Sequence, residues 1–202
     1  IQLTAEEQRK YDQFFLDAIL EREKGNSDAA FDLLRHADET VSGSQLSAAE
    51  KAEAHYLVSK ERLKMYIKLR KMERARDQLN IMVNQVAQAG SETLNNDFLY
   101  NRVIYYYTFG MNAKGNAVFK EMVEKLTASK EYGKVDEVYK TLIANSRSSG
   151  NANMVAQSYS NYIAWKDSTS ALKHADEIAA LKKQIKDNEE IEIGRASCRE
   201  RV

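Results

Sequence analysis

The chain has 202 residues with 30 basic and 30 acidic side chains, so it lacks the basic excess that nucleic-acid binding normally needs. Charged residues make up 30% and aromatics 9%, which excludes both a disordered low-hydrophobicity chain and a membrane-embedded one. Proline is absent, although average usage is about 5%, and that absence fits a chain helical almost throughout.

The predicted elements follow in chain order. Thr4 and Glu7 have capping-box spacing, so a first helix starts there and runs to Lys24, stopped by Gly25–Asn26. A second helix covers 28–41, and Ser42–Gly43–Ser44 reads as a linker. Ser47 and Glu50 open a third helix that reaches Arg70. Met72 is expected to pack into the short turn before a fourth helix, which ends near Gly90. Asn95–Asn96 are expected to cap a fifth. Sixth and seventh helices follow, separated near 128–131. The turn Gly150–Asn151 precedes an eighth helix that should end near Trp165, a residue expected to plug the end of the module. Asp167 or Ser168 then caps a ninth, ALKHADEIAALKKQIKDNEE. Its Ala171, Ala175, Ile178, Leu181 and Ile185 approach a coiled-coil seam, and its first half is expected to cover the last repeat.

An internal repeat underlies this order. Phe14, Ala18 and Glu21, then Gly25, then Ala30, Leu34 and Ala37 set a pattern. It returns as Ser59, Leu63, Tyr66, Arg70, Ala75, Leu79, Met82, and as Leu99, Val103, Tyr106, Gly110, Gly115, Phe119, Met122. A fourth copy is Tyr139, Ile143, Ser146, Gly150, Val155, Tyr159, Tyr162. Each copy is a helix pair with a small residue where two helices come close, and a period of this kind decides the fold class.

The small residue, the Gly at the turn, and Ala, a large apolar residue and Ala on the second helix resemble the tetratricopeptide repeat; Ala18, Gly25, Ala30, Leu34 and Ala37 match it best. The turns are spaced 45, 40 and 40 residues, longer than the family's usual repeat of about 34, and the closing proline is missing. The resemblance covers roughly residues 5–166. It implies an all-α, right-handed α-solenoid of four helix pairs plus a terminal charged helix. The expected division is a repeat domain over 1–166, a capping or connector helix over 167–191, and a tail over 192–202. That tail, EIGRASCRERV, resembles the in-frame translation of a common sequencing adapter, which would make it an artefact following a helix interrupted near Ile191. It carries Cys198, the only cysteine, so the rest of the chain forms no disulfide. The chain opens on Ile1 rather than Met, so the lack of a leader excludes nothing. No apolar run approaches the ~18 residues of a membrane span.

No catalytic constellation is visible. His36, His55 and His174 lie on three different helices without sequence-local partners, no two have zinc-motif spacing, and no phosphate loop occurs. Neither an enzyme nor a cofactor or metal site is therefore expected. Candidate binding residues come from the first helix of each pair. Lys60, Lys64 and Lys68 fall at i, i+4, i+8; Lys140 and Arg147 occupy the corresponding face; Tyr100, Ile104 and Tyr107 match them, and Phe15 and Ile19 extend the strip. In the resembled family this face is concave, and a basic-apolar groove there could hold an acidic peptide or a C-terminal carboxylate. The expected partner is a protein or peptide, with no nucleic acid and no membrane contact within the segment. Residues 165–185, WKDSTSALKHADEIAALKKQI, look like the junction of Bacteroidota-type sensor histidine kinases and related regulators. That resemblance implies an extracytoplasmic or periplasmic sensing region of a larger signal-transduction protein. The alternative is a free-standing soluble adaptor.

Overall fold

The computed structural model describes residues 3–148, 150 and 152–201. Among them there are eight helices and no strand: α1 Ala5–Glu23, α2 Ser27–Ser42, α3 Ala48–Lys68, α4 Met72–Ala89, α5 Glu92–Thr108, α6 Asn112–Ala128, α7 Tyr132–Ser148 and α8 Ala152–Glu200. The chain is all-α. It divides into two compact units, α1–α6 and α7–α8. The units meet between α6 and α7, and α8 runs through residue 166 without a break.

In the α1–α6 unit the helices pack as successive pairs, and each pair is closed by the same backbone device. Gly25, Arg70 and Gly110 adopt left-handed φ of 84°, 57° and 75°. The N–H of the residue after each returns to a carbonyl five back: Asn26 to Glu21 at 2.9 Å, Lys71 to Tyr66 at 2.9 Å, Met111 to Tyr106 at 2.8 Å. This Schellman closure satisfies carbonyls that the helix end would leave orphaned. Five residues beyond each left-handed position sits a buried small residue: Ala30, Ala75 and Gly115. With little side chain at that point, the second helix of a pair lies close against the first. Lys130, after α6, takes φ 59° with the same pair of bonds, Lys130 N to Thr127 O and Glu131 N to Leu126 O.

Two apolar clusters fill the pairs. One joins α1, α2 and α3 through Ala18, Ala30, Leu34, Ala37, Val58 and Met65. The other joins α3, α4 and α5 around Tyr56, Leu63, Leu79, Met82, Phe98 and Tyr105. Truncating a fully enclosed residue such as Leu34 or Leu63 to Ala would cost about 2–5 kcal/mol by lost transfer energy and residual cavity.

Helix starts follow their caps. The Thr4–Glu7 capping box closes both ways at 3.1 Å, and Ser47 accepts from the Glu50 N–H at 3.2 Å. The fifth helix, however, starts earlier than Asn95–Asn96 suggest. Ser91 accepts the Leu94 N–H at 3.3 Å, so α5 opens at Glu92 and both asparagines lie inside it. Met72 does not pack into a turn. It is the first residue of α4 and is 45% exposed.

In the α7–α8 unit, Val135, Tyr139, Leu142 and Ile143 face Met154, Ser158 and Tyr162. The fourth repeat copy therefore keeps its expected register on α7, at Tyr139, Ile143 and Ser146, and at Tyr162 on α8, but Tyr159 is 51% exposed and Val155 half-buried. The buried row on α8 runs i, i+4, i+8 from Met154 and rejoins the expected one at Tyr162. Asn151, half of the expected turn, lies outside the described residues. Trp165 does not end a helix; it sits within α8, its ring centroid 5.8 Å from that of Tyr139. Nor do Asp167 or Ser168 start a ninth helix. The hydroxyls of Ser168 and Thr169 donate back to the Trp165 carbonyl at 2.9 and 2.8 Å, a bond that hydroxyls make inside a continuous helix. Every described residue after Thr169 is exposed, so the expected capping half covers no core, and its seam from Ala171 to Ile185 is open.

Candidate binding surface

The first helices of the pairs in the α1–α6 unit are tied to one another by polar contacts. Arg22 of α1 pairs with Glu61 of α3. Lys60 of α3 donates to Asp97 of α5 at 3.1 Å, and the buried Tyr56 hydroxyl donates to the other oxygen of Asp97 at 2.6 Å. Asn101 completes this node, donating from its amide to the Asp97 carbonyl at 2.8 Å. Burial, then the bond to Asp97, pushes the Tyr56 phenol far above its ordinary value, so it stays a donor. The cost of burying these groups is met by partners, as it must be in a low-dielectric interior.

This bonding assigns the expected binding residues different duties. Lys60 is committed to Asp97. Lys64 pairs with Glu61 at 3.3 Å, the carboxylate that also takes Arg22. Lys68 is exposed in the last turn of α3. Phe15 stacks on Tyr11 at 5.9 Å and packs on the first apolar cluster, while Ile19 lies beside Arg22, Glu61 and Met65. Both therefore belong to the seam between α1 and α3. Tyr100 and Ile104 are half-buried on α5. Tyr107 lays its ring over Gly115 and donates to the Asn116 side chain at 2.6 Å, which commits it to α6. Tyr105, not Tyr106, is the more deeply buried of that run. In the α7–α8 unit, Lys140 pairs with Asp136 at 2.7 Å, and Arg147 is exposed in the last turn of α7. The basic stripe is thus largely paired with carboxylates far away in sequence or one helical turn away, and in the α1–α6 unit Lys64 and Lys68 are its accessible part.

Folding also gives the histidines the partners that the sequence does not show. His55 Nδ1 lies 2.8 Å from Asp38, and its Nε2 lies 3.2 Å from the Ser42 hydroxyl. Asp38 is shared with Arg62 at 2.6 Å. Its charge, after burial, helps push the Tyr11 phenol up to about 12. Ser42, His55 and Asp38 have the bond order of a nucleophile, base and orienting carboxylate. What they lack is a pair of donors for an oxyanion. The next two N–H groups, of Gly43 and Ser44, are spent on the Glu39 and Val41 carbonyls, and Ser42 stands at the C-terminal end of α2, where the helix dipole disfavours negative charge. Their geometry ties α2 to α3. His36 and His174 lie near Asp32 and Glu177 on the surface.

Among the described residues no group of three or more His, Cys, Asp or Glu side chains gathers as a metal site, and no helix is long and apolar enough to cross a membrane. No protein-family model, curated protein or solved structure matches the chain.

Proposed function

We propose that this chain is a protein- or peptide-binding helical repeat module of tetratricopeptide type, its four pairs forming a right-handed solenoid. In this reading it is the extracytoplasmic sensing region of a larger signal-transduction protein. The observation that carries the repeat reading is the left-handed closure at Gly25, Arg70 and Gly110, each followed five residues later by a buried small residue. Repeating one turn and one close contact repeats one crossing geometry, which is how stacked pairs become a solenoid. The sensing reading draws support from α8, which continues as an exposed charged helix from Ser170 to Ile191.

The ligand lies along the first-helix face, with Lys64 and Lys68 offering charge and Tyr100 and Ile104 offering apolar area. The test is a peptide array probed with the parent, with Lys64→Glu/Lys68→Glu, and with Lys182→Glu/Lys183→Glu on α8 as control. Acidic peptides should be retained by the parent and the control and lost by the first variant. Equal retention by all three would sink the assignment of this face.

A further inference from the structure

A cleft of about 310 Å³ opens between α4, α5 and α6, apart from the first-helix face. Each helix contributes one cation to its wall: Arg76, Arg102 and Lys114. No Asp or Glu lines it. Among the described residues Arg102 and Lys114 make no ion pair, and Arg76 reaches only its neighbour Asp77, at 3.8 Å on the surface.

Arg102 is held in place by aromatic rings. Its guanidinium carbon lies 5.7 Å from the Phe98 ring centre and 5.9 Å from that of Tyr106. Contact with two rings restricts the rotamers of the side chain, and the guanidinium keeps N–H donors for an acceptor. Tyr105 adds a donor to the same wall. Its side chain lines the cleft, and although the residue is only 3% exposed its hydroxyl is not sealed from solvent, so it is open to a bound group. Burial raises its pKa, so at neutral pH it remains a donor. The charged groups of the wall are thus all cationic, and the neutral ones, the Tyr105 hydroxyl and the Asn80 amide, can donate as well as accept.

The rest of the wall is mostly apolar, with Leu79 and Val83 from α4 and Met111 just before α6, and Asn80 of α4 adds one neutral polar side chain. Val83 is half-exposed. An inorganic anion would satisfy the cations and leave these side chains bare. A large cofactor would not fit, since this volume is at the low end for ligand sites. An acidic side chain next to an apolar one in a polypeptide satisfies both halves.

We propose that this cleft is a recognition site for an acidic polypeptide segment, an Asp or Glu carboxylate bonding to Arg102 and Tyr105 while the adjacent apolar side chain covers Val83 and Met111. This rests on the reading that the chain binds peptides, and it names a place for them other than the first-helix face.

The probe is a fluorescein-labelled peptide of alternating Glu and Phe, followed by fluorescence anisotropy on the full chain, beside a Gln/Phe and a Glu/Ser version. Arg102→Lys keeps the charge and loses the planar fork, so it should weaken Glu/Phe binding by about tenfold. Lys114→Gln, on an exposed residue that cannot unfold the chain, should weaken it as well, and Lys64→Glu/Lys68→Glu should leave it unchanged. Circular dichroism confirms that each variant is folded. Binding that survives Arg102→Lys and Lys114→Gln but falls in the Lys64/Lys68 variant overturns the cleft and leaves the peptide-binding reading standing. No binding of any peptide overturns both. If the Glu/Ser peptide binds as well as Glu/Phe and inorganic phosphate displaces both, the cleft is a plain anion site and the proposal fails.

Discussion

Tyr107 occupies the space where Gly115 would carry a side chain. A Cβ built on Gly115 would stand 2.7 Å from Cε1 and 2.8 Å from Cδ1 of that ring. Gly115→Ala should therefore lower stability by about 1 kcal/mol, because overpacking at ~1–3 kcal/mol outweighs the helix-propensity gain of ~1 kcal/mol. Gly133, on α7, has nothing within 4 Å of a built Cβ, and Ala there should raise stability by about 0.5–1 kcal/mol. Urea midpoints of the two variants should move in opposite directions; a shift of the same sign would contradict the packing described for Tyr107.

Arg70 stands at a left-handed position that glycine fills in the other pairs. Gly110→Ala should cost about 1–2 kcal/mol, the strain of forcing a side chain into that conformation. Arg70→Gly releases similar strain but loses the 3.0 Å bond from Arg70 to the Thr108 carbonyl, worth about 1 kcal/mol, so it should stay within about 1 kcal/mol of the parent. Thermal melts would show whether the two substitutions separate in this way.

Asp136 carries a pH signature. Its hydrogen bond from Lys140, and next that from Tyr162, hold its carboxyl below the ordinary 3.8. A carboxyl depressed on folding adds stability above its unfolded pKa and loses it as pH falls through the folded value. Asp136→Asn should thus be less stable than the parent near neutral pH, and the two should converge below about pH 4. A melting series across pH 3–7 measures the gap, and a constant gap would remove Asp136 as its source.

Ser42 should remain unlabelled by a fluorophosphonate probe at neutral pH, despite its contact with His55. The N–H groups that could hold an oxyanion are already bonded within the end of α2 and its linker. Labelling that disappears in His55→Ala would show that a usable oxyanion site forms there after all.

The helices and turns were legible because their causes are local. Thr4 with Glu7, Ser47 with Glu50, and the turns at Gly25, Arg70 and Gly110 are written within a few residues of where they act. The register of α8 was not, because whether Met154 or Val155 faces α7 is decided by packing across the pair. The run through Ser168 was misread for a related reason: a hydroxyl can cap a helix or bond back inside one, and composition does not choose. Of the candidate binding residues, sequence placed Lys60 and Tyr107 on a helix face correctly in spacing but could not see Asp97, 37 residues on, or Gly115 taking them up. The pairing of His55 with Asp38, and Arg102 between its two rings, also went unread. The Phe98, Arg102, Tyr106 spacing was the available signal, since residues four apart share a helix face.

The exposed length of α8 makes it a lever. From Thr169 to Glu200 it extends roughly 46 Å, so a tilt of about 5° at its root would swing the tip by about 4 Å. Cys198, the only cysteine and fully accessible, stands at that tip. A single thiol-linked spin label there reports the helix direction with no residue replaced, and so turns a small angular change near Trp165 into a measurable displacement.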